Sequence, residues 1–255
     1  MRRLFQYRDL VWALVLRDLK VRYRRSMIGF LWTMLQPLLT MAVLMVVFTE
    51  VFRFTELENY AVYALAGILF WNFFSQSIVA SMNSLRGNAQ LLKKVPVPKA
   101  VFPLATVISG VINLCLALIP LLALLVVTDH PIGPSLLFLP VAILLAALFT
   151  LGAGMLLSPL AVFFYDTVEM IGVAMTLFFY LTPIIYPMTI VPESYRWMVR
   201  FNPLRSILEV FRDPIYWYKI PPLRHLAVAA IIALLAFIIG AVAFRRSSDR
   251  IPFYV

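Results

Sequence analysis

The chain has 255 residues, of which 63% are hydrophobic and only 13% charged, with a formal net charge of +10. Ordinary soluble domains carry about 25% charged residues, so the composition excludes one and points to a bilayer. The basic residues gather in blocks at the ends of apolar runs rather than on one soluble face, so the charge reports membrane topology and not nucleic-acid binding.

The first element, residues 4–25, reads as a helix lying on the membrane surface. At 100° per residue, Phe5, Trp12, Leu16, Leu19 and Tyr23 fall on one stripe, while Arg17, Asp18, Arg22, Arg24 and Arg25 project away from it. Arg17, Asp18 and Lys20 interrupt the apolar stretch before a signal-peptide core forms, so the N-terminus is expected in the cytoplasm.

Six apolar runs follow, at 28–51, 60–82, 101–127, 135–159, 170–187 and 223–244. Each approaches the ~20 residues that cross about 30 Å of hydrocarbon as helix, and none alternates with the period of a barrel strand. The expected fold class is therefore all-α membrane, with six transmembrane helices. With the N-terminus inside, the cytoplasmic side collects the N-terminal arginines, Arg86, Lys93, Lys94, Lys99, Arg245, Arg246 and Arg250. Arg196, Arg200, Arg205 and Arg212 fall outside, against the usual bias. The single cysteine, Cys115, lies within the third run and reads as a small buried filler that forms no intrachain disulfide.

Between the second and third runs stands GNAQLLKKVPVPKAVFPL. Gly87 suits the end of a helix, Asn88 the cap of a new one, and Val95 before Pro96 does not readily remain helical. Ala89 to Lys94 is under two turns, too short to stand alone in water, so it must be held by packing. After the fifth run, Leu204, Ile207, Leu208 and Phe211 follow helical spacing, and Pro192, Pro203 and Pro214 divide the segment into short amphipathic helices at the outer interface. Their arginines are expected to pair with Glu193, Glu209, Asp213 or lipid phosphate.

Catalytic patterns are missing from the sequence. It contains no G-x-x-x-x-G-K-[ST] nucleotide loop, and His130 and His225 have no metal-ligand spacing. Asp129 and His130 before Pro131 read as turn chemistry. Asp166 and Glu169 read as cap or ion-pair partners, because no nucleophile accompanies them.

LRDLKVRYRRSMIGFLWTMLQPLL (16–39), GNAQLLKKVPVPKAVFPL (87–104) and FFYLTPIIYPMTIVPESYRWMVRFNPL (178–204) resemble the membrane subunits of type-2 ABC exporters, in the branch that moves lipid-linked O-antigen, capsule or teichoic acid. The resemblance implies a permease of the bacterial cytoplasmic (inner) membrane, multi-pass with both termini inside, and not an enzyme. It divides the chain into an interfacial gate helix at 1–27 and a six-helix domain at 28–255. It implies a homodimer joined to two copies of an ATP-binding cassette subunit; the chain itself holds no cofactor, and ATP and Mg belong to that partner. Asn88, Ala89, Leu91, Leu92, Lys93 and Lys94 then form the coupling helix that docks on the ATPase. Val97 departs from the aromatic residue often found there.

The same resemblance places a channel along the first and fifth spans, where Phe30, Trp32, Phe48, Phe52, Phe178, Phe179 and Tyr180 offer ring faces to sugars. Tyr195, Leu204, Ile207 and Phe211 belong to external gate helices. Arg22, Arg24 and Arg25 are expected at the entrance, facing the pyrophosphate of a polyprenyl-diphosphate-linked glycan among membrane lipids. Two alternatives stand beside this reading: a small-molecule exporter of the same superfamily, and a membrane-embedded enzyme of envelope synthesis.

Overall fold

The computed structural model describes residues 7–23, 29, 31–51, 57–95, 97–251 and 254, and every regular element among them is helical. In chain order these are α1 (Arg8–Tyr23), α2 (Leu31–Val46), α3 (Tyr60–Gly87), α4 (Ala89–Lys94), α5 (Val101–Val127), α6 (Leu139–Phe163), α7 (Thr167–Leu181), α8 (Arg196–Arg200), α9 (Pro203–Tyr216) and α10 (Leu223–Ser248). A π-helical turn, Val47–Val51, continues α2, and a 3-10 turn, Pro134–Phe138, leads into α6.

Among the described residues, five stretches are long and apolar enough to cross a membrane: Leu31–Glu50, Tyr60–Gly87, Val101–Val127, Pro134–Phe163 and Leu223–Ser248. The fifth predicted span is shorter than the sequence suggests. α7 has 15 residues, about 22 Å at 1.5 Å per residue, against about 30 Å of hydrocarbon. It stops at Leu181 because Thr182 precedes Pro183 and takes extended angles (φ −96°, ψ 133°), the conformation that proline imposes on its predecessor.

α3 is the axis of the bundle. It packs against α2, α5, α6 and α9, and every residue from Tyr60 to Trp71 is buried. A stretch apolar on every side suits such an interior position. α6 and α10 run in close contact, with Ala229, Ala233 and Gly240 of α10 buried against α6. A Cβ on Gly240 would strike the Gly152 carbonyl, so these small residues set how closely the two backbones approach. Cys115, expected as buried filler, is exposed on α5.

α1 also differs from expectation. Val11, Leu14 and Val15 form its buried face, and Trp12 and Leu16 of the predicted stripe are 54% and 40% exposed. The helix carries two apolar stripes, and the one that packs on α5 was hidden by arginines nearby in sequence. Phe5 lies outside the described residues. Val11, Leu14 and Val15 join Leu85, Phe102, Met155, Val162, Phe244 and Ile251 in a second core at the α1 end of the bundle. α7 contributes no buried residue at all, and α2 buries only Pro37 and Met41.

Candidate functional site

The junction of α3 and α4 is an elbow built on Asn88. α3 stays helical through Gly87, and Asn88 occupies its C-cap position at φ −115°, ψ 22°, so Gly87 is not the cap that the sequence suggested. Nor does the Asn88 side chain cap α4. Its Nδ2 donates to the Ser84 carbonyl at 2.7 Å, and its Oδ1 accepts from Arg17 Nη1 at 2.6 Å. The side chain is buried, because α1 lies across α5 and brings Arg17 to the elbow. Arg17 also holds Asp18 at 2.8 Å. α1 and the α3–α4 elbow are therefore tied by one charge-assisted hydrogen bond.

Along α4 the sides divide clearly. Leu91 and Leu92 are half-buried against the second core, while Ala89 is partly covered and Gln90, Lys93 and Lys94 are exposed. Lys99, just beyond, donates to the Ser248 carbonyl and joins the start of α5 to the end of α10. Arg22 lies in α1 with its side chain outside the described part, and Arg24 and Arg25 lie outside the described residues.

Above the elbow a cavity of about 890 Å³ opens between α2 and the α3–α5 pair, with α1 at its mouth. α3 supplies Asn72, Gln76, Ser77 and Asn83; α5 supplies Thr106, Ser109 and Asn113; and α2 supplies Trp32, Thr33 and Gln36. Apart from Trp32, these residues were not singled out in the sequence, where they stand singly or in short polar clusters such as 75–77 within apolar runs. The four- and seven-residue steps from Asn72 to Gln76 to Asn83, which keep the three amides on one face of α3, were the available signal.

The predicted aromatic lining does not form one ring within a protomer. Trp32, 51% exposed, stands at the α1 end of α2, whereas Phe178 and Tyr180 stand at the opposite end of the bundle, 39% and 64% exposed. Phe48 is half-buried and stacks on Tyr60 at 5.1 Å, and Phe179 meets Trp71 edge-on at 5.5 Å; both rings pack within the bundle. Phe30 and Phe52 lie outside the described residues.

The end away from α1 is organised by α9. Leu204, Ile207, Leu208 and Phe211 are all buried, as their spacing predicted, and α9 packs among α3, α6 and α10. Asn202 caps it, accepting from the Leu204 amide at 3.0 Å and donating to Thr182 Oγ1 at 2.8 Å. Pro214 does not end the helix; it lies in the last turn, and the helix runs on to Tyr216. Tyr195 is 59% exposed and stands apart from this core.

The outward arginines divide into two kinds. Arg196 pairs with Glu193 at 3.3 Å and Arg205 with Glu209 at 2.7 Å, as expected. Arg212 is buried and pairs with no carboxylate among the described residues. Its Nη1 and Nη2 donate to the Pro183 and Ile184 carbonyls at 2.8 and 2.7 Å, and the guanidinium lies 3.8 Å from the Tyr63 ring centroid. The break after α7 leaves those carbonyls without helical partners, and α9 carries the cation to them. Asp213 nearby is pushed up to about 6, chiefly by burial and then by Glu209.

His130 is likewise more than a turn residue. Asp129 does take the left-handed turn conformation (φ 49°), but His130 is buried, with Asn59 Nδ2 3.0 Å from its Nδ1. Rings of Tyr216 and Tyr218 lie 5.5 and 4.6 Å away. Burial pushes its pKa down, so the neutral ring is the form this junction holds. At the other end, Asp166 occupies the N-cap position of α7 but makes no side-chain cap bond. Among the described residues no group of His, Cys, Asp and Glu is arranged to hold a metal ion.

Residues 9–216 match the family described as ABC-2 type transporter. The chain is similar to the O-antigen export system permease protein RfbA of Myxococcus xanthus, 36% identical over 242 residues and 92% of each chain. It is also similar to two proteins of the same description from Klebsiella pneumoniae. One is 34% identical over 209 residues, covering 80% of this chain and 79% of the relative. The other is 30% identical over 245 residues, covering 95% and 93%.

Proposed function

The chain belongs to the ABC-2 type transporter family, and from that premise we propose that it is the permease subunit of an ATP-driven exporter carrying a lipid-linked polysaccharide across the cytoplasmic membrane. The observation that carries this reading is the 36% identity to an O-antigen export permease along 92% of both chains. The work of ATP hydrolysis then falls to a separate cassette subunit. α4 suits the contact with it: a helix of six residues, anchored by Leu91 and Leu92 on its inner side and offering Gln90, Lys93 and Lys94 outward. Asn88 serves this contact from within, by linking the elbow to α1 through Arg17.

A homodimer fits the faces left bare. Trp32, Leu35, Leu39, Val43 and Val46 form one exposed apolar face on α2, and Met170, Val173, Leu177 and Tyr180 form another on α7. α7, too short to cross the bilayer alone and with no residue fully buried in its own protomer, gains both depth and cover beside a second copy. Closure of two ATPase subunits would move the paired α4 helices together and bias the path between shut and open. α1 and α4 are placed on the cytoplasmic side and α9 on the outer side, with both termini inside. Arg22, Arg24 and Arg25 meet the substrate's pyrophosphate at the entrance, and Phe178 and Tyr180 offer rings to sugars toward the exit.

Deletion of the gene in its source bacterium tests the function. Surface glycan should vanish while lipid-linked glycan accumulates inside, and the wild-type gene should restore export only with a hydrolysis-competent ATPase. Unchanged surface glycan in the deletion strain refutes the assignment.

A further inference from the structure

α3 is covered by its neighbours on most of its circumference, yet along one strip it carries Asn72, Gln76, Ala80, Asn83 and Gly87, all of which line the cavity beside α2. The steps of four, four, three and four residues put them on one helical face. Asn72 to Asn83 covers 11 residues, about 16 Å at 1.5 Å per residue. Amide side chains at this depth are costly unless they meet polar groups or a space open to water.

Gluing helices together is a possible use of such groups, and Ser81 with Thr106 serves it, bridging α3 and α5 at 2.9 Å. Other side chains of the cavity wall behave differently. Asn83 turns back to the Val79 carbonyl of its own helix at 3.0 Å, and Ser109 on α5 does the same to Ala105 at 2.9 Å. Each such bond uses part of the side chain's hydrogen-bonding capacity and leaves the rest for the space beside it. Ser77 Oγ is buried in the same wall with no hydrogen-bond partner among the described residues, an orphan of the kind that a bound molecule satisfies.

The chemistry of the wall narrows the occupant. Among the described residues that line the cavity, Arg17 and Asp18, at the mouth, are the only ionisable ones. A bound phosphate calls for clustered cations and a metal ion for carboxylates, and the described interior wall offers neither. An acyl chain calls for unbroken apolar walls, which the amides interrupt. Neutral amides and hydroxyls on two helices, facing the half-exposed Trp32 ring on a third, match a neutral polyhydroxylated molecule. Its hydroxyls exchange for water at the amides, and its C–H faces lie on the indole.

We propose that this groove is a carbohydrate-binding site inside each protomer, taking sugar rings of the exported glycan between α2 and the α3–α5 pair. The inference rests on the glycan-export reading. It adds a second contact region, separate from the rings of α7, where replaceable hydrogen bonds hold a moving chain without trapping it.

The test places the photoreactive residue benzoylphenylalanine singly at Gln76 and at Asn83, in the complete transporter in cells that make the glycan. Val126 on α5 and Leu144 on α6, both strongly exposed, serve as membrane-facing controls. After illumination, positions 76 and 83 should yield a ladder of carbohydrate-staining adducts. The controls, and cells blocked in glycan synthesis, should yield none. Adducts to phospholipid alone, or no carbohydrate adduct at either position, overturn the proposal. In parallel, Gln76→Leu with Asn83→Leu should lower export at least tenfold at unchanged protein level, and Gln76→Asn with Asn83→Gln should retain most of it. Wild-type export from the leucine pair also overturns it. If the chain does not export a glycan, surface glycan survives its deletion; if only the groove is misassigned, export still depends on the chain but the adducts are missing.

Discussion

Replacing Arg212 by Met removes the cation that joins α9 to the end of α7. Two charge-assisted hydrogen bonds, at 2.8 and 2.7 Å, are lost, each worth about 1.5–3 kcal/mol. The contact with the Tyr63 ring at 3.8 Å contributes up to about 2 kcal/mol when desolvated. Against these losses stands the relief of a buried guanidinium, whose desolvation costs several kcal/mol. In most buried ion pairs that relief nearly balances the loss, because both partners can be replaced. Here the partners are backbone carbonyls that no side-chain substitution removes, so the variant keeps two buried acceptors unpaired. We expect a net loss of about 2–4 kcal/mol, or about 5–12 °C in melting temperature for a chain of this size. Arg212→Lys keeps the charge but cannot fork to both carbonyls while covering the ring, and should lose about half as much. Thermal unfolding of the purified complex, followed by loss of the monodisperse peak in size-exclusion chromatography, measures both. A double-mutant cycle with Tyr63→Leu isolates the ring's share. Melting of Arg212→Met within about 2 °C of wild type refutes the reasoning.

A methyl group on Gly240 meets the Gly152 carbonyl, so Gly240→Ala should cost about 1–3 kcal/mol, while Gly172→Ala, which meets nothing within 4 Å, should be neutral or slightly stabilising in the same melting assay. His130 is held neutral by burial, with its pKa below the usual 6.5; its contribution is complete above about 6.5 and lost as pH falls below it. The melting temperature should therefore drop between pH 7 and 5, and His130→Phe should flatten that drop. Lys93→Glu with Lys94→Glu reverses the exposed end of α4 and should reduce glycan-dependent ATPase stimulation several-fold without moving the melting temperature; unchanged stimulation argues against docking through that face. On a Cys115→Ala background, Ser194→Cys should react with an impermeant maleimide in intact cells and Asp249→Cys only after permeabilisation, and the reverse pattern inverts the topology.

Much of the architecture is written locally. The bounds of α4, Ala89–Lys94, and of α5, Val101–Val127, coincide with the sequence reading because Pro96 and the change from charged to apolar residues fix them within a few positions. The buried stripe of α9 follows for the same reason: Leu204, Ile207, Leu208 and Phe211 repeat at the helical period, and only one face can enter a core. The end of α7 was legible too, in Thr182 before Pro183, though the apolar run continuing to Pro187 concealed it.

Direction is what the tertiary structure decided. Hydropathy says that α3 is buried but not which neighbour covers each side, so Asn72, Gln76 and Asn83 become a cavity wall only when α2 and α5 are in place. Asn88 reads as a helix cap until α1, more than 60 residues earlier, delivers Arg17 to it. Arg212 and His130 look like outward polar residues because sequence registers their charge and not the distant Pro183, Ile184, Tyr63 and Asn59 that receive them. Periodicity and proline act over a few residues, whereas the partner of a buried polar group is set by how whole helices pack, and that is fixed only when the chain has folded.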